Sequence, residues 1–234
     1  MQLFYCPEIE QGNTSLDAEE SKHCSRVLRK KKGDLIRITN GTGKFFECTL
    51  EEVNPKKCSF HIDSEEIANA PECSIHIAIA PTKSADRIEW FVEKSVEIGI
   101  QQISFIETAF SERKHLNLDR LRKKAVGAMK QSIRASIPKL NALEKLNSFL
   151  SKSKADQMFV AHLEDDSTQH LMHAAKPKQD YVIVIGPEGG LTDTELQILE
   201  DRSYLIVKLG DHRLRTETAG IVACSILNNI NQIR

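Results

Sequence analysis

Residues 181–195 constrain the fold more than any other stretch of this chain. Tyr181-Val-Ile-Val-Ile185 is an apolar, β-branched run that reads as a buried strand. It empties into Gly186-Pro-Glu-Gly-Gly190, and Thr192 with Glu195 then forms a capping box, so a helix starts just where the glycines stop. Strand, glycine loop and helix in this order point to an open α/β sheet. Ligands in such sheets bind beyond the carboxyl ends of the strands, where glycines let the backbone approach them closely. The loop has neither the G-K-[ST] ending of a P-loop nor the G-x-G-x-x-G spacing of a dinucleotide site, so phosphate is not its obvious ligand.

A second strand, 204–209, runs into Gly210-Asp-His-Arg-Leu-Arg-Thr-Glu-Thr-Ala219, which opens a terminal helix over 216–233. That helix carries Ala219, Val222, Ala223, Ile226, Leu227 and Ile230 at core spacing. Arg213, Arg215 and Glu217 put charge where a purely structural turn needs none; the alternative is an ordinary turn with a Thr cap and a surface ion pair. Residues 185–219 therefore read as a backbone-lined pocket for a small nucleotide-like ligand.

The rest of the chain divides near Ala70-Pro71. Before it, short strands at 34–39, 44–53 and 56–63, with turns at Asn40-Gly41 and Asn54-Pro55, predict a small β-barrel. Gly41-Thr-Gly43-Lys44 looks phosphate-binding but has no helix after it and reads as a hairpin. After the break, strands at 74–80, 103–107, 157–161, 181–185 and 204–209 alternate with helices, the pattern of a sheet with crossover helices. One helix, 84–99, ends at its glycine and places Ile88, Phe91, Val92, Ser95 and Val96 on one side. A chain of 234 residues suits this partition into a small domain, 1–70, and a large one, 71–234.

The net charge of −1 gives no global reason to expect nucleic acid, but the charge is uneven. Residues 22–32 hold six Lys or Arg and no acid, and residues 112–134 hold eight against Glu112 and Asp119. Such clusters are the footprint of phosphate contacts, or else solvated helix faces. Six cysteines without a C-x-x-C pair predict packed, reduced thiols. His162, His170 and His173 lack zinc-ligand spacing, and no metal is expected. No apolar window approaches a membrane span and no signal-peptide pattern opens the sequence, so a cytoplasmic location is expected.

The two loops, Ile185-Gly-Pro-Glu-Gly-Gly-Leu-Thr192 with Glu195 and Leu209-Gly-Asp-His-Arg-Leu-Arg-Thr-Glu-Thr-Ala219, resemble the signature of the RsmE family of SPOUT-class methyltransferases. His23-Cys-Ser-Arg26-Val-Leu-Arg29 with Gly33-Asp34 resembles that family's N-terminal RNA-binding unit. Lys83, Asp86-Arg87, Glu89-Trp90, Lys94 and Glu97-Ile-Gly99 resemble its first methyltransferase helix, and Gln131-Ser-Ile-Arg134 with Pro138 its Gln-Ser-x-Arg stretch. Ile98 and Ile106 stand where many members carry Leu and Pro.

The resemblance implies an α/β SPOUT methyltransferase domain with a C-terminal trefoil knot, a small PUA-like β-barrel before it, and a homodimer. It implies S-adenosylmethionine-dependent methylation of N3 of a uridine in 16S ribosomal RNA, with ribosomal RNA or the small ribosomal subunit as partner. On this reading Gly186, Pro187, Glu188, Gly189, Gly190, Leu209, Gly210, Leu214, Thr218 and Ala219 hold the donor. Arg215 stabilises the developing negative charge, and Glu217 is the base or orients Arg215. Glu188 either touches the donor or pairs with a helix N-terminus. Arg26, Arg29 and Lys30 are suited to hold the RNA backbone, while Lys94, Gln131 and Arg134 reach RNA or a partner subunit, or simply occupy exposed helical faces. Two rival readings are a nonenzymatic RNA-binding protein and an enzyme methylating tRNA or a ribose hydroxyl.

Overall fold

In the computed structural model, which describes residues 2–163 and 168–232, the chain forms two compact units. The first comprises Met1–Ala70 and Val126–Ile137, the second Pro71–Ala125 and Pro138–Arg234.

In the first unit β1 (Leu3–Tyr5) is followed by α1 (Ala18–Lys22), capped by Asp17 and continued by a π turn at His23–Val27. Then come β2 (Leu35–Thr39), β3 (Lys44–Glu52) and β4 (Ser59–Ile67). The sheet order is β1-β2-β3-β4, and among the described residues no ladder joins β1 to β4 to close the expected barrel. Phe4, Leu16, Ile36, Ile38, Phe46, Leu50 and Phe60 form its core. The β2–β3 reversal is the hairpin that the sequence suggests. Only its glycines use positive φ, +79° at Gly41 and +104° at Gly43; Asn40 acts through its side chain, whose Oδ1 accepts the Thr42 amide at 2.8 Å. β4 starts later than its sequence pattern suggests because the Asn54 turn holds the chain to Lys57, whose amide donates to Asn54 O. It then runs on through Glu65 and Glu66, solvated residues that carry no strand signal.

The second unit contains β5 (Ile75–Ile79), α2 (Ala85–Ile98), β6 (Gln102–Glu107), and α3 (Leu118–Gln131), whose last turns belong to the first unit. There follow β7 (Lys139–Lys145), α4 (Leu146–Lys152), β8 (Gln157–Ala161), α5 (Leu171–Ala174), β9 (Tyr181–Ile185), α6 (Asp193–Asp201), β10 (Leu205–Val207) and α7 (Thr216–Gln232). The six strands are all parallel, in the order β10-β8-β9-β5-β6-β7. One face, with Ala78, Val160, Val182 and Val184, packs under α4 and α6 through Leu146, Phe149, Leu196 and Leu199. The other face meets α7, which also packs on α2.

Helix α2 buries Ile88, Phe91, Val92, Ser95 and Val96, the predicted side, and Gly99 ends it at φ +119°. On α7 Ala219, Ala223, Ile226, Leu227 and Ile230 are buried, but Val222 is only half-buried, and Gly220 and Cys224 complete the inward face. Ile233, the expected end of this helix, lies outside the described residues. β7 escapes sequence patterning because it is an edge strand with Leu140 as its one buried residue. All six cysteines are free and all but Cys73 are buried, and burial pushes the Cys24 and Cys48 thiols up to about 12.

A polar chain crosses the sheet from His76 on β5 to Ser104 on β6 (2.8 Å) and Asn141 on β7 (2.8 Å). Burial, with Lys139 nearby, depresses the His76 imidazole to about 4 against 6.5 for an unperturbed one. The unfolded chain therefore binds this proton first as pH falls, so His76 contributes stability that is complete above about 6.5 and is lost as pH drops toward about 4. Urea unfolding at pH 7 and pH 5 should show a loss of about 2 kcal/mol from this group, absent in His76→Gln. Equal pH slopes for wild type and variant would refute it.

Candidate active site

The buried strand β9 ends at Ile185, and the glycine loop that follows is set by the helix behind it. Thr192 Oγ1 accepts the Glu195 amide at 3.2 Å and Glu195 Oε2 accepts the Thr192 amide at 3.0 Å, so the capping box is formed. Glu195 Oε1 also accepts the Ala109 amide at 2.8 Å, fastening the chain after β6 to the same point. The loop that opens α7 is tied to the first loop by Thr216, whose hydroxyl donates to Gly186 O at 3.1 Å, and by Arg213, whose Nη2 donates to Glu188 O at 2.7 Å.

Between the loops lies a cavity of about 590 Å³, beyond the carboxyl ends of β8 and β9. Of the ten residues expected to hold a donor, Gly186, Pro187, Glu188, Gly189, Gly190, Leu209, Gly210, Leu214 and Ala219 line it, and Thr218 does not. Much of the wall is backbone. At Gly190 (φ +80°) and at Gly210 an added Cβ would meet nothing within 4 Å, so the missing side chains leave open space. Apolar Ile185, Leu191, Leu209 and Leu214 complete a wall suited to a flat, uncharged ring beside the loop carbonyls and amides.

Arg215 lines the cavity, and its guanidinium has no carboxylate or hydrogen-bond partner among the described residues. Glu217 is elsewhere. Its side chain is buried, Oε1 lies 3.7 Å from Arg87 Nε on α2, and Oε2 has no hydrogen-bond partner among the described residues. Glu188 Oε1 accepts the Lys83 amide at 3.1 Å, just ahead of α2, so this carboxylate braces a helix N-terminus. His162, weighed in the sequence only against a metal site, and Leu163, not singled out there, line the cavity from the end of β8, and Thr216 of the second loop lines it too. The signal for the first two was positional, since they follow a third strand of the same parallel sheet.

The two basic clusters fare differently. In 112–134, Arg120 (2.6 Å) and Lys124 (3.9 Å) converge on buried Glu89, Arg122 pairs with Asp119, Lys130 pairs with Glu20, and Arg113 donates to the Thr82 and Lys83 carbonyls. Most of that charge is structural. In 22–32 none of the six cations is in an ion pair among the described residues; Arg26 and Arg29 are exposed and Lys30 Nζ donates to Leu35 O. Gln131 is exposed in the same unit, the Arg134 amide donates to Met129 O, and Lys94 belongs to the other unit, held between Glu93 and Glu97. Among the described residues no group of three or more metal-ligating side chains is placed to hold an ion, and no helix is long and apolar enough to cross a membrane.

The family model for the RNA methyltransferase domain matches residues 69–228, and that for the RNA methyltransferase PUA domain matches 16–63. A ribosomal RNA small subunit methyltransferase E of Bacillus subtilis is 29% identical over 94% of this chain and 92% of its own length. The chain belongs to the RsmE family of RNA methyltransferases. Among solved structures, a "probable rRNA-methyltransferase" from Porphyromonas gingivalis is 36% identical with a TM-score of 0.94, covering 99% of both chains. The ribosomal RNA small subunit methyltransferase E of Neisseria gonorrhoeae, solved bound to S-adenosyl methionine, is 25% identical with a TM-score of 0.85 over 99% of this chain and 98% of its own. The two loops whose sequences resemble the RsmE signature are the two that wall the cavity.

Proposed function

We propose that this protein uses S-adenosylmethionine to methylate N3 of a uridine in 16S ribosomal RNA. It works in the cytoplasm as a homodimer, with a PUA-like RNA-binding domain at 1–70 and a methyltransferase domain at 71–234 tied in a C-terminal trefoil knot. The RsmE relatives and the S-adenosylmethionine-bound neighbour support the donor and the RNA class. The observation that carries the reading is the Arg215 guanidinium, on the wall of a backbone-lined cavity and without a carboxylate or hydrogen-bond partner among the described residues.

Bound S-adenosylmethionine supplies a methyl group made electrophilic by its sulfonium. The glycine backbone of 186–190, with Leu209, Gly210 and Leu214, holds and shields it. N3 lies on the Watson–Crick edge, so the uridine enters unpaired and flipped out. Arg26, Arg29 and Lys30 of the first unit hold RNA phosphates without reading sequence. As N3 loses its proton to water at the open cavity, negative charge spreads onto the adjacent carbonyl oxygens, where the Arg215 guanidinium donates to it. Glu217, turned toward Arg87, supports the start of α7 and hence the position of Arg215.

The test is nucleotide mapping in small-subunit RNA from a strain lacking the gene. A methylated N3 blocks base pairing and stops reverse transcription; the stop should vanish in the deletion strain and return with the wild-type gene. Loss of a tRNA or ribose methyl group instead would defeat the reading.

A further inference from the structure

Phe110 is an aromatic side chain left 52% exposed beside the cavity. The backbone on both sides of it is held. It sits in a reversal in which the Ser111 amide donates to Thr108 O at 3.1 Å and the Thr108 amide donates to Ser111 Oγ at 3.0 Å, with Thr108 and Ser111 both buried. The preceding amide, of Ala109, is held by Glu195, and Arg113 Nε anchors the following chain to Thr82 O at 2.9 Å. Phe110 lies against Gly189, a cavity residue: a Cβ at 189 would come 3.0 Å from Phe110 Cβ, so glycine is what lets the aromatic residue approach the loop. A large apolar ring displayed on a pinned turn costs water contact and has no core to enter. At the edge of a site that receives an extruded base, it is a preformed platform with little ordering entropy left to lose.

We propose that Phe110 is a substrate-binding residue on which the flipped-out acceptor base stacks as it reaches the cavity. This rests on the acceptor being an unpaired pyrimidine base, as argued above. Every base has a π face, so the platform grips and orients the ring, while charge stabilisation at its carbonyl oxygens falls to Arg215.

The experiment uses full-length enzyme and small-subunit particles from the deletion strain, comparing wild type, Phe110→Leu and Phe110→Trp. Donor affinity is followed by calorimetry and oligomeric state by light scattering. Phe110→Leu keeps apolar bulk but loses the aromatic face, so KM for the particle should rise roughly 5- to 150-fold, while Phe110→Trp stays near wild type. Donor affinity and oligomeric state should be unchanged in both. Wild-type kinetics in Phe110→Leu would overturn the proposal, as would a defect accompanied by lost donor binding or a dissociated oligomer, which would make Phe110 a structural or subunit contact. If wild-type enzyme forms no N3-methyluridine in these particles, the functional reading falls and this proposal falls with it. If it forms the product and Phe110→Leu is unimpaired, only the stacking role falls.

Discussion

Arg215→Ala should lower the methyl-transfer rate by roughly 10²–10³-fold, about 2.7–4 kcal/mol, the range found when a donor to a developing oxyanion is removed. The effect is large because the guanidinium is uncommitted among the described residues. It lines the cavity and is spent on no carboxylate among the described residues, so it is available to the charge that forms on the acceptor. Donor binding relies on the loop backbone and should change little. Single-turnover rates beside calorimetric donor affinity separate the two; an affinity loss that accounts for the whole defect would remove Arg215 from the chemistry. Arg215→Lys should recover only part of the rate, because an ammonium keeps the charge but not the planar fork.

Two glycines inside helices should respond to alanine or larger residues with opposite signs. Gly220 on α7 faces α2 and β5 so closely that a Cβ would stand 2.5 Å from Phe91 Cε2 on the helix and 3.2 Å from Ile79 Cδ1 on the strand. Phe91 is fully buried and has nowhere to go. Gly220→Val should therefore cost about 3 kcal/mol through overpacking, lowering Tm by roughly 6–12 °C. Gly127, exposed in α3, has no neighbour within 4 Å at its Cβ position, and Gly127→Ala should stabilise by about 0.5–1 kcal/mol through helix propensity. Calorimetric scans of the two variants check both; a neutral Gly220→Val would mean that α2 and α7 can part without penalty.

The sheet and its site were readable in the chain to unequal degrees. β9 and the α6 cap are local features, a five-residue apolar run and a three-residue hydrogen-bonded box, and both form as read. The same holds for the core side of α2, where the 3.6-residue period samples one partner surface. β1 and β7 were not readable, the first because three residues carry no period, the second because an edge strand is half solvated. The basic stretch 112–134 reads as an RNA footprint only because the acids that neutralise it, Glu20, Asp86 and Glu89, are distant in sequence.

By itself, then, the sequence determined the strand–glycine loop–helix order, the capping box and the residues of both loops. These depend on backbone conformation and on neighbours a few positions away. Only the tertiary structure decided what the loops' charged residues face. Glu217 and Arg215 are two positions apart, yet one is buried against Arg87 and the other opens into the cavity. Residues two apart at the start of a helix point about 200° away from each other, and which direction holds solvent and which holds α2 depends on elements more than a hundred residues earlier in the chain.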